Sequence, residues 1–394
     1  MRRLLFNTLV KTMALVAVLC GKPQNGQAQL DEKLDLLPTE MEVGPFKAGH
    51  VQGVAVDKEK GYIYLSFTTK LVKTDLEGKV IGSVDGLLGH LGCLEFYPKD
   101  GRLYGSLEYK NDAIGKGILK SANKQGLTLA NAFYVAIFDV DKIVRPDMDA
   151  EKDGVMTTVF LQRPLKDYEA VVNLYGKKVK HRLGCSGIDG LSFGPEFGHT
   201  GGRHLLTVAY GVYGDKNRTD NNYQVLHQYN IKSWEKYELP LSQERMHTQG
   251  PKGPDGEYFV LTGNTNYGVQ NLEYDGARHV WLMAVYPGEK GIFPNFPLYA
   301  VNGVAKPEKK QLPGIPYLGK SKTVPLVLCG TLHVPTGVWG WKQQIGDTGL
   351  EWLCTDYYLV AHSFQTKQGY GAKLKMYRFF PRKEIPFIAV DELE

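Results

Sequence analysis

The chain has 394 residues, with 23% charged, 11% aromatic and five cysteines, enough for one large or two ordinary domains. Its formal net charge of +5 is carried largely by the N-terminus. Four basic residues (Arg2, Arg3, Lys11, Lys22) and no acidic one lie in residues 1–28, so the remainder balances 43 Lys and Arg against 42 Asp and Glu. A balance this even excludes the basic footprint of a nucleic-acid-binding protein.

The first element is a targeting segment. A basic start, an apolar core from Met13 to Cys20 and the small-residue run Gly26-Gln27-Ala28 read as a secretory signal peptide over residues 1–28. The expected protein is exported, periplasmic or at the cell surface. No later stretch is long and apolar enough to cross a membrane as a helix. Cys93, Cys185, Cys329 and Cys354 then remain, far apart and without a CxxC pair.

From residue 40 onward, short alternating runs separated by Gly, Asp, Asn and Pro replace any helical periodicity. The run "HVQGVAVD" from His50 is followed by "GYIYLSF", "KLVKTDL" and "KVIGSVD", joined by the turn-like "DKEKG" and "DLEGK". This predicts a four-stranded antiparallel meander. Similar units begin at His90 ("HLGCLEFYPKDGRLYGSLEY"), at Gly187 ("GIDGLSFGP"), at His247 ("HTQG", then "EYFVLTGN") and at Thr348 ("TGLEWLC"). Sheet units repeating every ~40–60 residues predict an all-β fold, a β-propeller, as one domain over residues 40–394. Five blade starts are clear, with room for two less regular ones near residues 150–180 and 280–330.

In a propeller the first strand of each blade lines the central channel, so residues just before those strands meet at one mouth. The alignment places His50, His90, Gly187 and His247 in one ring, and Gln52, Gly92, Asp189 and Gln249 two positions on. Glu95 and Glu351 lie inside their own first strands. Polar, titratable side chains at a concave axial site form the default binding-site expectation. Histidine with Asp or Gln suits a structural divalent metal, calcium or zinc by ligand type. It equally suits proton transfer near neutrality, or plain ligand binding. No GxSxG elbow, P-loop, HExxH or EF-hand loop is present.

With these residues in view, the chain resembles glycoside hydrolase family 145. The resemblance rests on the exported start, the "GHVQGVAVD" motif at Gly49, the "GYIYLSF" second strand and the overall length. It implies a seven-bladed β-propeller related in fold to polysaccharide lyase family 27 and the ulvan lyases. It also implies an exo-acting α-L-rhamnosidase of gut Bacteroides, removing L-rhamnose α-1,4-linked to D-glucuronic acid in arabinogalactan side chains. The single catalytic histidine of that group maps to His50, and hydrolysis then requires no cofactor. The implied substrate is an oligosaccharide or polysaccharide bearing uronic acid, acted on by a monomer. The uronate calls for a cation, with Arg182, Arg203 and Arg245 as candidates. Gln52, His90, Asp189, His247 and Gln249 complete the expected substrate-binding set. Two other readings stay open. One is a lyase using β-elimination, for which His227, Tyr229, Arg245 and His247 form a local set; the other is a non-catalytic glycan-binding propeller.

Overall fold

The computed structural model describes residues 37–393. The signal-peptide expectation therefore lies outside the described residues.

Five radial sheets form a β-propeller. Blade 1 is the expected meander, Val51–Asp57, Tyr62–Phe67, Lys70–Thr74 and Val80–Asp85. Blade 2 comprises His90–Tyr97, Arg102–Tyr109, Ala132–Phe138 and Met156–Phe160. Blade 3 comprises Cys185–Pro195, His204–Val212, Tyr223–Tyr229 and Gly256–Leu261. Blade 4 has three strands, Thr265–Asp275, Val280–Pro287 and Leu298–Asn302, extended outward only by the single bridges Leu298–Trp341 and Val301–Leu326. Blade 5 begins with Leu350–Cys354, Tyr357–Thr366 and Gly369–Phe379. Glu40–Phe46 then adds to it antiparallel, pairing Met41 with Leu374 and Phe46 with Tyr370. The first strand of the fold thus closes the ring on the last blade.

Packing gives the same count independently. The buried apolar side chains separate into five clusters, one at each interface between adjacent blades. Alternation along a strand feeds two interfaces at once. In blade 1, Val54 and Val56 pack toward blade 5, while Ala55 packs toward blade 2. A strand buried on both faces reads as continuously apolar, as in Ala132–Phe138, every residue of which is buried. Cys93 and Cys185 are buried thiols in the interface between blades 2 and 3.

Five blades correct the expected seven. Residues 150–180 supply the last strand of blade 2, the helix Gln162–Glu169 and a hairpin, Val171–Leu174 with Lys177–Lys180, but no blade. Residues 280–330 supply the second and third strands of blade 4 and a connection. That connection runs back along blade 3, where Ser321–Thr323 pairs parallel to Gly256–Leu261. The expected blade start at His247 is also corrected. "EYFVL" pairs with Tyr223–Tyr229, Gln224 opposite Val260, and so ends blade 3. The channel-lining strand of blade 4 begins 18 residues later, at Thr265. Hairpin patterning is the same for the last strand of one blade and the first of the next, so only the pairing partner separates them.

Among the described residues two α-helices interrupt the sheets, Ala113–Ser121 within blade 2 and Gln162–Glu169 after it. Asp112 caps the first, its side chain accepting from Gly115 N at 3.0 Å. No helix among the described residues is long and apolar enough to cross a membrane.

Candidate active site at the channel mouth

The channel-lining strands of blades 1 to 4 all carry a register shift near their first residues, between Val51 and Gly53, Leu91 and Leu94, Cys185 and Gly187, and Asn266 and Val269. Bulges re-aim side chains and concentrate beside functional sites. Here they surround a cavity of about 290 Å³ at one mouth of the channel.

His50, Gln52, His90 and Asp189 all line this cavity. The Gln52 amide Nε2 lies 3.0 Å from His50 Nε2 and donates to Thr68 Oγ1 at 3.2 Å. With the amide donating to both, the His50 proton resides on Nδ1. Gln52 is in turn tied across the channel, since Asn271 Nδ2 donates to its carbonyl oxygen at 3.0 Å. Burial lowers the His50 pKa from its usual value, and the charge of Asp347 only partly restores it. His90 is pushed lower, to about 3, by burial first and then by the Lys110 and His50 charges. Both imidazoles are therefore neutral at pH 7.

Asp189 moves the opposite way. Burial lifts its carboxyl well above the usual range and the Glu108 charge adds to this, outweighing the Lys110 charge and a Gln270 hydrogen bond. Burial thus biases this carboxyl toward its protonated form. Gly92 on blade 2 faces it, and a Cβ there would collide with Asp189 Oδ1 and lie 2.5 Å from Ser106 Oγ. Gly92→Ala is expected to displace the Asp189 carboxyl. It should cost about 1–3 kcal/mol of stability by overpacking and lower the turnover proposed below about tenfold or more, read from thermal midpoint and kcat together.

The structure adds residues that the sequence reading missed. Glu108 in the second strand of blade 2 and Lys110 just past its end form an ion pair on the cavity wall. Lys110 Nζ also donates to Ser186 O at 2.9 Å, and Glu108 Oε2 accepts from Ile188 N at 3.1 Å. Burial alone would lower the Lys110 pKa, but Glu108 and Asp112 outweigh it and keep the ammonium charged. The missed signal was "GSLEYK": a second strand returns to the mouth its first strand left, and residues two apart share a face. Gln270, Tyr267 and Tyr286 come from blade 4, whose start was misplaced.

The other expected residues lie elsewhere. His247 is bound along the outer side of blade 2, with its Nε2 2.8 Å from Thr158 Oγ1 and its carbonyl oxygen accepting from Tyr134 Oη at 2.6 Å. The Gln249 carbonyl oxygen accepts from Phe160 N at 2.9 Å in the same loop, and its side chain is exposed. Arg245 is exposed in that loop. Arg203 lies at the opposite end of the propeller, beside the last residues of the blade 3 inner strand, and pairs with Glu196 at 3.4 Å. Arg182 is bonded to Asp167 at 2.8 Å. His227 and Tyr229, 3.4 Å apart, are buried in the third strand of blade 3, where His227 bonds Glu257 at 3.0 Å.

Deeper in the channel, Glu95, Glu273 and Glu351 from blades 2, 4 and 5 converge, one carboxylate oxygen of each lying within 4.8 Å of the others. Glu273 Oε1 accepts from Trp352 N at 2.9 Å, while Glu95 Oε2 is buried without a hydrogen-bond partner. Burial raises all three pKa values, Glu351 to about 7. Lys58 contributes the opposing positive charge, its Nζ donating to the carbonyl oxygens of Trp352 and Leu353 at 2.7 and 2.6 Å. Hard carboxylate oxygens in this arrangement are the donor type that calcium takes.

The fold and its mouth thus define a five-bladed β-propeller with a cavity at one mouth of its channel that titratable side chains line. No family model matches the chain, and no curated protein matches it. Among solved structures it is similar to the soluble aldose sugar dehydrogenase of Escherichia coli in the apo-form, at 10% identity and a TM-score of 0.35, over 85% of this chain and 97% of that one. It is also similar to a protein of unknown function from Bacteroides caccae, at 13% identity and a TM-score of 0.29, over 72% and 89% of the two chains. A third is the Dos1 propeller, at 8% identity and a TM-score of 0.27, over 86% and 69%.

Proposed function

We propose that the protein is an exo-acting glycoside hydrolase that removes L-rhamnose α-1,4-linked to D-glucuronic acid at the ends of arabinogalactan side chains. The channel-mouth cavity is its active site. The observation that carries this reading is that one cavity is lined by an imidazole, His50, whose pKa burial lowers, and a carboxyl, Asp189, whose pKa burial raises. Burial favours the neutral form of each, which is the form a base (His50) and an acid (Asp189) need.

In this scheme water attacks the anomeric carbon of rhamnose. Its proton passes to His50 Nε2 once the water replaces the Gln52 amide at that nitrogen. Asp189 gives its proton to the glycosidic oxygen as the bond from that oxygen to the anomeric carbon breaks. Gln52 and Asn271 position the imidazole. Lys110, already held charged at the wall, faces the uronate carboxylate in place of the arginines expected from sequence. Hydrolysis of this kind needs no cofactor, and the reading includes an exported monomer working in the periplasm or at the cell surface.

The test is incubation of the purified protein with a rhamnosyl-glucuronate oligosaccharide, following free rhamnose and ultraviolet absorbance together. Hydrolysis yields rhamnose and no chromophore. A 4,5-unsaturated uronate would instead show β-elimination, and binding without either product would leave a glycan-binding propeller.

A further inference from the structure

The register shift in the blade 4 inner strand, between Asn266 and Val269, does more than frame the cavity. It forces Tyr267 into the left-handed region at φ 64°. Few residues other than glycine adopt that conformation, and such backbone strain clusters at ligand sites. Gly268 follows at φ 81°, pressed so closely on Tyr210 O that no Cβ would fit. Gln270 Nε2 donates to the Tyr267 carbonyl oxygen at 3.2 Å and locks the bulge from the cavity side. The result is a tyrosine held rigidly at the mouth with 44% of its surface exposed.

Tyr267 is not isolated. With Tyr213, Tyr286 and Asn266 it lines a second, more open cavity of about 510 Å³. Tyr267 and Tyr286 line the His50 cavity as well, so the two cavities adjoin at these rings. Tyr213 is fixed from behind, its Oη donating to Asp112 Oδ2 at 3.2 Å and its ring 5.0 Å from that of His181. The inner cavity, about 290 Å³, is at the small end of ligand sites (roughly 300–1,000 Å³). A ligand larger than this cavity has room to extend over the tyrosines.

We propose that Tyr267, Tyr286 and Tyr213 form a sugar-stacking subsite that continues the His50 cavity outward, so that the ligand is an oligosaccharide of at least three units rather than a terminal disaccharide. A tyrosine ring offers a flat apolar face to the C–H face of a pyranose, while its hydroxyl and the Asn266 amide serve the sugar hydroxyls. This rests on the glycan reading above and specifies the length and grip of its substrate.

The experiment is calorimetric titration in the His50→Ala background, which prevents turnover, with L-rhamnose, the rhamnosyl-glucuronate disaccharide and a tetrasaccharide containing it. The tetrasaccharide is expected to bind more tightly than the disaccharide. Tyr267→Ala should remove that gain, weakening the tetrasaccharide about tenfold. The disaccharide should weaken by clearly less than the tetrasaccharide, the thermal midpoint should stay unchanged, and Tyr267→Phe should stay within about twofold of its parent. Equal tetrasaccharide affinity with and without the Tyr267 ring overturns the subsite, as does absence of any measurable binding. Failure of the hydrolase reading looks different: the wild-type protein releases no rhamnose, while the length-dependent affinity and its loss in Tyr267→Ala persist.

Discussion

Rhamnose release by His50→Ala is expected to fall by about 10²–10⁴ in kcat, the range by which a positioned acid or base accelerates proton transfer. Asp189→Asn should lose a comparable factor, because an amide has no acidic proton for the leaving oxygen. The pH profile separates the two roles. In the proposed scheme His50 works as the neutral imidazole, so activity should be lost as pH falls through its pKa, which burial places below 6.5. In the same scheme Asp189 works protonated, so activity should be lost as pH rises through its pKa, which burial places well above 3.8. The wild-type profile of kcat/KM should therefore be bell-shaped. Residual activity in Asp189→Asn should lose the alkaline limb and keep the acid one. A His50→Ala protein that released rhamnose at the wild-type rate would sink the assignment of the base, since no other lining residue is expected to replace it fully.

The second large effect concerns stability. The protein should lose stability between pH 5 and pH 8, and Glu351→Gln should recover part of that loss. The sign follows from the folded-state pKa of Glu351, raised to about 7 from 4.5. The folded protein holds a proton there that the unfolded chain would release. The resulting stabilisation is fully present below about 4.5 and is lost as pH rises through about 7. At 1.36 kcal/mol per pKa unit, this one group contributes on the order of 3 kcal/mol. Glu95 and Glu273 shift in the same direction and steepen the dependence. Glu351→Gln keeps the shape and removes the charge, so it should raise the thermal midpoint at pH 8 and change it little at pH 5. A wild-type midpoint independent of pH over this range would contradict protonated glutamates in the channel.

Much of the site was legible because its signals are local. His50, Gln52, His90 and Asp189 stand at or near the starts of alternating runs, and in a propeller the start of an inner strand is a channel mouth. His247 and Gln249 carry the same His-x-Gln-Gly pattern but precede the last strand of blade 3, so the pattern placed them in a ring they do not join. Arg203 follows a turn at the far end of its blade, and nothing in the residues around it says at which end a given turn lies. Lys110 could have been found from Glu108 by the two-residue period. Tyr267 could not, since its exposure depends on a bulge that only the pairing with Val280–Pro287 reveals.

By itself the sequence determined that the chain folds into antiparallel meanders around a polar axis, because alternation and turn chemistry act over a few residues. Only the tertiary structure decided how many blades there are, because an outer and an inner strand share the same side-chain period and differ only in their partners. It also decided the closure of the ring, where Glu40–Phe46 pairs with a strand more than 300 residues away. The convergence of Glu95, Glu273 and Glu351 has the same origin. Each is an ordinary strand residue in its own blade, and the channel makes them neighbours, with pKa values set by burial that no local pattern encodes.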